Sequence, residues 1–342
     1  MIRAPLPDAS GGAAMTPLLA LMVLLAAAWG SLALWYQAPG GRALQILALV
    51  LWALFSLMIM IGLARTRHLW LVVAFAAAFG LLLLWWQRLM PSNDRLWADD
   101  VAQMTRGDMQ GSQVVLHNVR NFDWRTDTDY TQRWETRSYD LDRLDGLDMI
   151  LSYWSMHAIA HVLISFGFDN GEHVVFSVEI RPEKHESFSE IGGFFKEFEL
   201  SILAADERDV IRVRTNVRGE DDYLYRIRLP RSQMRSLFLA YVAQANDLVH
   251  TPRFYNSVTV NCTTLIYHML RRIVGRLPLD YRLLFSGYLP GYVYKIGGFD
   301  PRYTLDQLRS FGRITERAKL ADRSASFSAD IRHGVPRLEP PP

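Results

Sequence analysis

Three long apolar runs between residues 16 and 89 predict membrane-spanning helices. Each run is about 20 residues long, which is enough to cross roughly 30 Å of hydrocarbon at about 1.5 Å per helical residue. Inside them Gln45 and Gln87 are strongly polar, and Arg88 is close to an end. The first run is too long for the apolar core of a signal peptide, and two further runs follow it, so we interpret all three as transmembrane helices. The runs are Thr16–Tyr36, Ala43–Ala64 and Leu69–Leu89.

The turn between the second and third runs, Arg65–His68, is the most basic short loop. Arginine and lysine mark the cytoplasmic side of a membrane protein. This rule places the N-terminus inside the cell and everything after the third run outside the cytoplasm. Arg42, Arg88 and Arg95 fall on the outer side, so the charge bias is small and the turn decides the orientation.

The remaining chain divides by composition into four segments. Residues 1–15 form an N-terminal tail that the orientation places in the cytoplasm, ahead of the helical anchor at 16–90. Residues 91–111 are polar and predict a linker. Residues 112–312 mix strand and helix patterns and are long enough for one α+β domain. Residues 313–342 are polar, end in prolines and predict a disordered tail.

The clearest element of the domain is a β-hairpin. Ile159–Phe168 and His173–Arg181 are rich in β-branched and aromatic residues, and Asp169–Glu172 between them is a strong turn signal. In the second run, apolar residues alternate with polar ones, so one face enters the core and the other is polar. Asp209–Thr215 also alternates and predicts a strand, whereas Arg231–His250 has the apolar period of a helix.

The net charge and the cysteine content argue against several kinds of partner and site. The net charge of +2, with no basic run interleaved with aromatics, argues against a nucleic-acid partner. A single cysteine forbids an internal disulfide and does not support a zinc site. His157 and His161 are four residues apart on a predicted strand, about 13 Å, so they do not predict a metal site either. We therefore expect no metal and no cofactor.

The one cysteine, Cys262, follows a short β-branched run and opens a segment, Cys262–Val274, with helical periodicity. A thiol at a helix N-terminus faces unpaired N–H groups and the positive end of the helix dipole, which favour the nucleophilic thiolate. Several polar neighbours could position a substrate or form an oxyanion hole together with the backbone N–H groups of Cys262 and the next residue. The alternative is a small buried residue with a structural role. The neighbours are Tyr255, Asn256, Asn261 and Thr263.

A cysteine nucleophile needs a base, and that base usually has an orienting partner. His161 is the candidate base, because Ala158 and Ala160 beside it leave room for a substrate. If the hairpin loop is odd-numbered, residues whose numbers sum to about 340 pair across the strands, and His161 faces Glu179. A two-residue turn would instead place Glu179 on the opposite face.

Other roles for these residues stay open. His161 could be a core histidine bonded to a carbonyl. Glu179 could form an ion pair with Arg181 or Arg214. His173, on the same strand face as Glu179, is an alternative orienter, although its place beside the turn favours an exposed residue.

Several motifs in one order, over about Gln113 to Pro290, resemble the periplasmic domain family of the bacterial lipoprotein N-acyltransferase Lnb. The order of a histidine before an Asn-Cys that opens a helix is also similar to circularly permuted papain-like folds, including permuted NlpC-type enzymes and lecithin retinol acyltransferase. The motifs are Ala160-His161, Ser165–Phe168, Ser177–Arg181, Ala205–Asp209, Arg212–Thr215, Tyr255-Asn256 and Asn261–Thr264.

The resemblance implies an antiparallel sheet packed on helices, on the periplasmic side of a bacterial inner membrane. It implies that Cys262 takes an acyl chain from a phospholipid, that His161 is the base, and that Glu179 is the third residue. It also implies a diacylated lipoprotein as the acceptor. In that family the membrane spans follow the domain, whereas here they precede it, which leaves the acceptor open. A papain-like cysteine hydrolase of the envelope and a non-enzymatic envelope protein remain the alternatives.

Overall fold

The computed structural model describes residues 15–66 and 68–338. The chain separates into two compact units. One contains the N-terminal helices together with three loop residues, Phe195–Glu197. The other is the domain formed by Ser92–Phe194 and the chain from Phe198 onward.

The helix unit contains α1 (Met15–Gln37), α2 (Gly41–Thr66) and α3 (Leu69–Gln87). All three are long and apolar enough to cross a membrane, with mean hydropathies of 2.1, 2.7 and 2.3. This confirms the prediction of three apolar helices at the front of the chain. The predicted tail at residues 1–15 lies almost entirely outside the described residues.

Close packing inside the helix unit depends on small residues. Trp52 on α2 donates its indole N–H to the carbonyl of Ala27 on α1 at 2.9 Å. A Cβ added at Gly30 would lie 2.7 Å from the Trp52 ring, so a larger residue there would push the helices apart. Small residues serve this purpose in membrane helices, where close backbone approach replaces the hydrophobic effect.

The domain is built on one eight-stranded sheet, ordered β1-β2-β9-β8-β7-β6-β10, with β5 paired to β2. All neighbours are antiparallel except β2 and β9. Strand β1 lies within the segment predicted as a linker. Its five residues belong to the sheet instead, because their backbone pairs with β2. The strands of this sheet are β1 (Arg106–Gln110), β2 (Gln113–Arg120), β5 (Trp134–Asp140), β6 (Leu144–Tyr153), β7 (His161–Phe168), β8 (His173–Arg181), β9 (Glu199–Ala205) and β10 (Asp221–Arg226). Two short strands form a separate pair: β3 (Asp123–Trp124) and β4 (Tyr130–Thr131).

One face of the sheet carries the larger core. Phe166 and Phe176 on adjacent strands pack edge-on against Phe238 of α5, and all three rings are fully buried. Each buried side chain of this size contributes about 1.5–3 kcal/mol relative to exposure. The helices that contribute to this face are α5 (Arg231–His250), α6 (Thr264–Val274), α7 (Leu289–Lys295) and α8 (Leu305–Gly312). The mixed α+β class predicted from the sequence is confirmed.

The opposite face is covered by the C-terminal segment, and the prediction of disorder is wrong for residues 313–338, the part of the segment that the structure describes. Phe327 and Ile331 are fully buried in a second core with residues of the sheet. Arg332 donates to Asp148 at 2.9 Å and to Glu207 at 2.7 Å, which ties the segment to the back of the sheet. Composition alone suggested disorder because most of the segment is polar. The helices on this face are α4 (Glu207–Arg212), α9 (Thr315–Ala321) and α10 (Phe327–Ile331).

The strand predicted at Asp209–Thr215 is also wrong. The chain there forms α4 and continues as a π-helix, Val213–Arg218. Asp206 caps α4 by accepting from the backbone N–H of Arg208 at 2.9 Å. The alternation that predicted a strand arises because charged residues of this segment are buried with partners instead of facing solvent. Asp209, for example, is fully buried and accepts from the indole N–H of Trp124.

Candidate active site

A cavity of about 730 Å³ opens at one end of the sheet, and six of the predicted site residues line it, among them the three catalytic candidates. These three are His161 at the start of β7, Glu179 near the end of β8, and Cys262 in the turn before α6. The volume falls in the range of sites that bind small molecules or cofactors. The cavity lies entirely within the domain.

Cys262 sits two residues before the first residue of α6, with Thr263 at the N-cap. The side-chain oxygen of Asn261 accepts from the backbone N–H groups of Thr263 and Thr264, both at 2.9 Å. This cap satisfies two donors of the first turn and holds the thiol in place. Cys262 is 9% exposed and borders the cavity, so the sulfur is sheltered but can be reached from it.

The hairpin has the register expected for an odd-numbered loop. Leu163 pairs with Ser177, and Gly167 pairs with His173, so each pair sums to 340. The same register brings His161 and Glu179 together, with His161 Nε2 3.2 Å from Glu179 Oε1. The alternative register, with Glu179 on the other face, is therefore excluded.

Ser177, which lies between these two residues on the same face of β8, was not among the predicted site residues. Its Oγ is 2.7 Å from His161 Nε2 and donates to Glu179 Oε1 at 2.6 Å. An ionised carboxylate only accepts, so the one hydroxyl proton of Ser177 goes to Glu179, and Ser177 must accept from Nε2–H. We infer that neutral His161 carries its proton on Nε2, which leaves Nδ1 to accept the thiol proton.

Opposing effects set the pKa values of the three groups. Burial lowers the pKa of His161, but the charge of Glu179 and the contact with the Cys262 thiol outweigh burial and raise it to about 9. Burial raises the pKa of the Cys262 thiol, but the hydrogen bond and charge of His161 prevail and lower it. Burial likewise raises the pKa of Glu179, and His161 brings it far below its usual range. These directions favour a thiolate–imidazolium pair supported by a carboxylate.

Arg214 completes this arrangement from the π-helix. Its Nη2 donates to Glu179 Oε1 at 3.2 Å, and its side chain is 7% exposed. The sequence named Arg214 as an ion-pair partner of Glu179, and the structure adds that the same carboxylate also contacts His161 and Ser177. For Ser177, the available signal was its position two residues before Glu179, since such residues share a strand face.

The remaining predicted residues divide between the cavity and the surrounding turns. The side chain of Asn261 caps α6 and donates to Ser257 O at 2.7 Å. The Thr263 N–H is taken by Asn261, so the expected oxyanion role of this N–H is not supported; the Thr263 hydroxyl lies 3.8 Å from the Cys262 sulfur. Asn256 does not line the cavity, and its side chain accepts from the backbone N–H groups of Val258 and Thr259.

Tyr255 is the aromatic candidate that lines the cavity. Burial raises the pKa of its hydroxyl well above the usual value, and the charge of Cys262 adds to this effect. The hydroxyl therefore keeps its proton and can act as a hydrogen-bond donor.

His173 is in the wrong place for the orienting role considered above. It lies at the hairpin end of β8, six residues or about 20 Å along the strand from Glu179. Its Nδ1 is 3.0 Å from the carbonyl of Gly171, and it does not line the cavity.

The segment that builds this site can be compared with known families. Residues 130–287 match the family model of the Lnb N-terminal periplasmic domain. The match covers a little under half of the chain and includes His161, Ser177, Glu179, Arg214 and Cys262. It confirms the resemblance seen in the sequence. Comparisons with curated proteins and with solved structures found no match.

The family match and the three apolar helices agree on the general setting of the chain. A periplasmic-type domain that follows three candidate membrane spans indicates a membrane-associated protein of the cell envelope.

Proposed function

We propose that this protein is a membrane-bound, thiol-dependent acyltransferase. The observation that carries the proposal is the connected set Cys262, His161, Ser177 and Glu179 at the wall of one cavity. This set has the parts that covalent acyl transfer needs: a nucleophile with a lowered pKa, a base in contact with it, and a group that orients the base. The order of a histidine strand before the cysteine helix is also the order of permuted papain-like enzymes.

In the first step, the Cys262 thiolate attacks the ester carbonyl of a phospholipid. The carbon–sulfur bond forms as the carbon–oxygen bond of the ester breaks, and the imidazolium of His161 gives its proton to the leaving alcohol. The products are an acyl thioester on Cys262 and a lysophospholipid.

In the second step, an amine attacks the thioester, and His161 takes the proton that the amine loses. The carbon–sulfur bond breaks, the Cys262 thiolate returns, and the acyl chain leaves as an amide. The resemblance to the Lnb family favours the N-terminal amine of a diacylated lipoprotein as this acceptor.

Two donors are suited to the oxyanion that forms in each step. The backbone N–H of Cys262 has no acceptor among the described residues, and Tyr255 lines the same cavity. A preorganised donor of this kind contributes about 2.7–4 kcal/mol to the transition state.

The cavity wall away from the polar set suits an acyl chain. Six large apolar side chains line it, and each is about half exposed. Exposed apolar surface gathered at one opening is typical of a binding site for an apolar group. These side chains are Trp154, Phe188, Phe194, Val258, Leu284 and Phe285.

The test is acyl transfer by the full chain in detergent, with a labelled diacyl phospholipid as donor and a diacylated lipopeptide with a free N-terminal amine as acceptor. We expect a hydroxylamine-labile acyl group on Cys262 and a labelled N-acyl lipopeptide. Both should be lost in Cys262→Ser, because a hydroxyl is not ionised at neutral pH. Full activity of this variant would refute the mechanism.

The same assay separates the alternatives. Release of labelled fatty acid, with no transfer to the lipopeptide, would identify a hydrolase that uses water as the acceptor. A thiol that reacts neither with the donor nor with iodoacetamide at neutral pH would indicate a structural cysteine in a non-enzymatic protein.

A further inference from the structure

A row of buried polar side chains crosses three strands beside the candidate site. Ser152 on β6 is the register partner of His161 on β7, and Asp222 on β10 is the register partner of Ser152. Because directly opposite residues of an antiparallel pair share one face, the three side chains lie on the same side of the sheet. Ser152 and Asp222 are fully buried. The two steps proposed above use neither of them.

The hydroxyl of Ser152 joins two carboxyl groups, since it lies within hydrogen-bonding distance of both Glu220 Oε2 and Asp222 Oδ1. One hydroxyl has one proton, so Ser152 can donate to one carboxyl group and must accept from the other, which therefore carries a proton. Burial raises the pKa of Asp222 to about 7. Below that pH Asp222 is the protonated member of the pair.

Arg214 lies between Glu220 and Glu179, and each of its three guanidinium nitrogens has an oxygen atom as a neighbour. Nη2 donates to Glu179 Oε1 at 3.2 Å, and Nη1 donates to the carbonyl of Val210 at 2.9 Å. Nε is 4.0 Å from Glu220 Oε2. A planar guanidinium held on three sides cannot rotate freely, so its contact with Glu179 has a defined direction.

Two further observations concern the contact between Arg214 and Glu179: the backbone that carries Arg214, and the partners of Arg120 nearby. The π-helix Val213–Arg218 carries Arg214, and such single-turn insertions occur frequently at functional sites. Arg120 lines the same cavity, but Asp209 accepts from its Nε at 2.9 Å and from its Nη2 at 3.1 Å. Arg214 is therefore the arginine in contact with Glu179.

We propose that Arg214 is a positioning residue for the thiol site: it holds the Glu179 carboxylate where Ser177 donates to it, and so fixes the ring of His161. The proposal deepens the proposed function and rests on it, since it assumes that Cys262 acts as a thiolate. Arg214 touches neither the thiol nor the substrate in this scheme. It acts through Glu179.

An arginine that contributed charge alone would behave differently. Burial and the positive charge of Arg214 both lower the pKa of His161, so removal of the charge alone would strengthen the imidazolium–thiolate pair. Loss of positioning would have the opposite effect, because a displaced Glu179 no longer stabilises the imidazolium and the pKa of Cys262 then rises. The two roles predict pH shifts of opposite sign.

The experiment measures alkylation of Cys262 by iodoacetamide between pH 5 and 9, in the full chain in detergent. We expect Arg214→Gln to move the acidic limb of the rate profile to higher pH and to lower the rate at pH 6.5 by roughly 10- to 100-fold, the loss typical when the hydrogen-bonding partner of a metal-binding side chain is removed. Arg214→Lys keeps the charge but loses the three contacts of the guanidinium. Its rate profile should lie between those of the unmodified protein and Arg214→Gln.

Arg212→Gln is the matched control. Arg212 is 8% exposed, against 7% for Arg214, and it pairs with Asp322 instead of a site residue. Its replacement also breaks a buried arginine ion pair, so it reports what such a loss does to the domain in general. We expect its alkylation profile to match that of the unmodified protein.

An acidic limb that stays in place or moves to lower pH in Arg214→Gln would overturn the proposal. A double-variant cycle gives a second test: if Arg214 acts through Glu179, Arg214→Gln should cause no further loss in a Glu179→Gln background, and additive losses would overturn the proposal. If Arg214→Gln does not fold, Arg214→Lys replaces it in the cycle. Alkylation needs no acyl donor, so these outcomes do not depend on transferase activity; an inert thiol in the unmodified protein would instead refute the thiol chemistry itself.

Discussion

Replacing His161 by glutamine removes the imidazolium beside Cys262 while keeping a polar side chain of similar size. A thiol with an ordinary pKa of about 8.5 is roughly 1% thiolate at pH 6.5. In the unmodified protein, the pKa of His161 is raised to about 9, so the imidazolium persists at pH 6.5 and holds the thiol below its ordinary pKa. In His161→Gln this support is lost, and burial then raises the pKa of the thiol.

The expected change follows from these populations. Because an ordinary thiol is roughly 1% ionised at pH 6.5, a lowered pKa can raise the amount of thiolate by at most about 100-fold. A thiolate of lower pKa is intrinsically less reactive, with a Brønsted coefficient of about 0.4–0.5, and this offsets part of the gain. We therefore expect His161→Gln to slow alkylation at pH 6.5 by about 10- to 100-fold and to move the midpoint of the pH profile upward.

The assay is iodoacetamide labelling of the full chain, followed by intact mass. Cys262 is the only cysteine in the 342 residues, so every alkylated molecule reports on this site. His173→Gln is the matched control, because His173 lies at the other end of the hairpin and outside the cavity. Equal rates for His161→Gln and the unmodified protein at pH 6.5, or a midpoint of about 8.5 in the unmodified protein, would refute the ion pair.

Two further predictions concern the oxyanion donor and the C-terminal segment. Tyr255→Phe should slow thioester formation by about 10²- to 10³-fold, the usual loss for one oxyanion donor, and should leave the alkylation rate unchanged; equal thioester formation would exclude the hydroxyl from this role. Phe327→Ala should lower the free energy of unfolding of the domain by about 3–5 kcal/mol in a denaturant titration, because Phe327 is fully buried. Leu320→Ala, at a side chain that is 89% exposed, is the control and should change it by less than about 0.5 kcal/mol; similar losses in both would show that the segment does not stabilise the domain.

Where contacts are local, sequence patterns were sufficient to predict structure. The three apolar helices could be predicted from length and composition, because these two properties decide whether a helix can span a bilayer. Alternation and loop parity reduced the hairpin to two registers, one of which brings His161 to Glu179, and the structure has that register. The place of Cys262 before a helix followed from the period of the residues after it.

Where contacts are long-range, the same patterns misled. The segment Asp209–Thr215 alternates like a strand but forms a helix and a π-turn, because its charged residues find buried partners elsewhere in the chain. Arg332, in the segment predicted to be disordered, bonds to Asp148 and Glu207, which are 184 and 125 residues away. Composition cannot predict such ion pairs, because a buried charge is stabilised only when the fold brings an opposite charge next to it.

The sequence by itself predicted three apolar helices long enough to span a membrane, the α+β class, and a lone thiol with a histidine and a carboxylate as its candidate partners. Only the tertiary structure showed which further groups contact these side chains. Ser177 sets the direction of the hydrogen bond to His161, and Arg214 contacts Glu179 from a π-helix that no local pattern predicted. The physical reason is that hydrogen-bond direction and ion-pair geometry depend on distances of a few ångströms between separate elements, and those distances exist only in the folded domain.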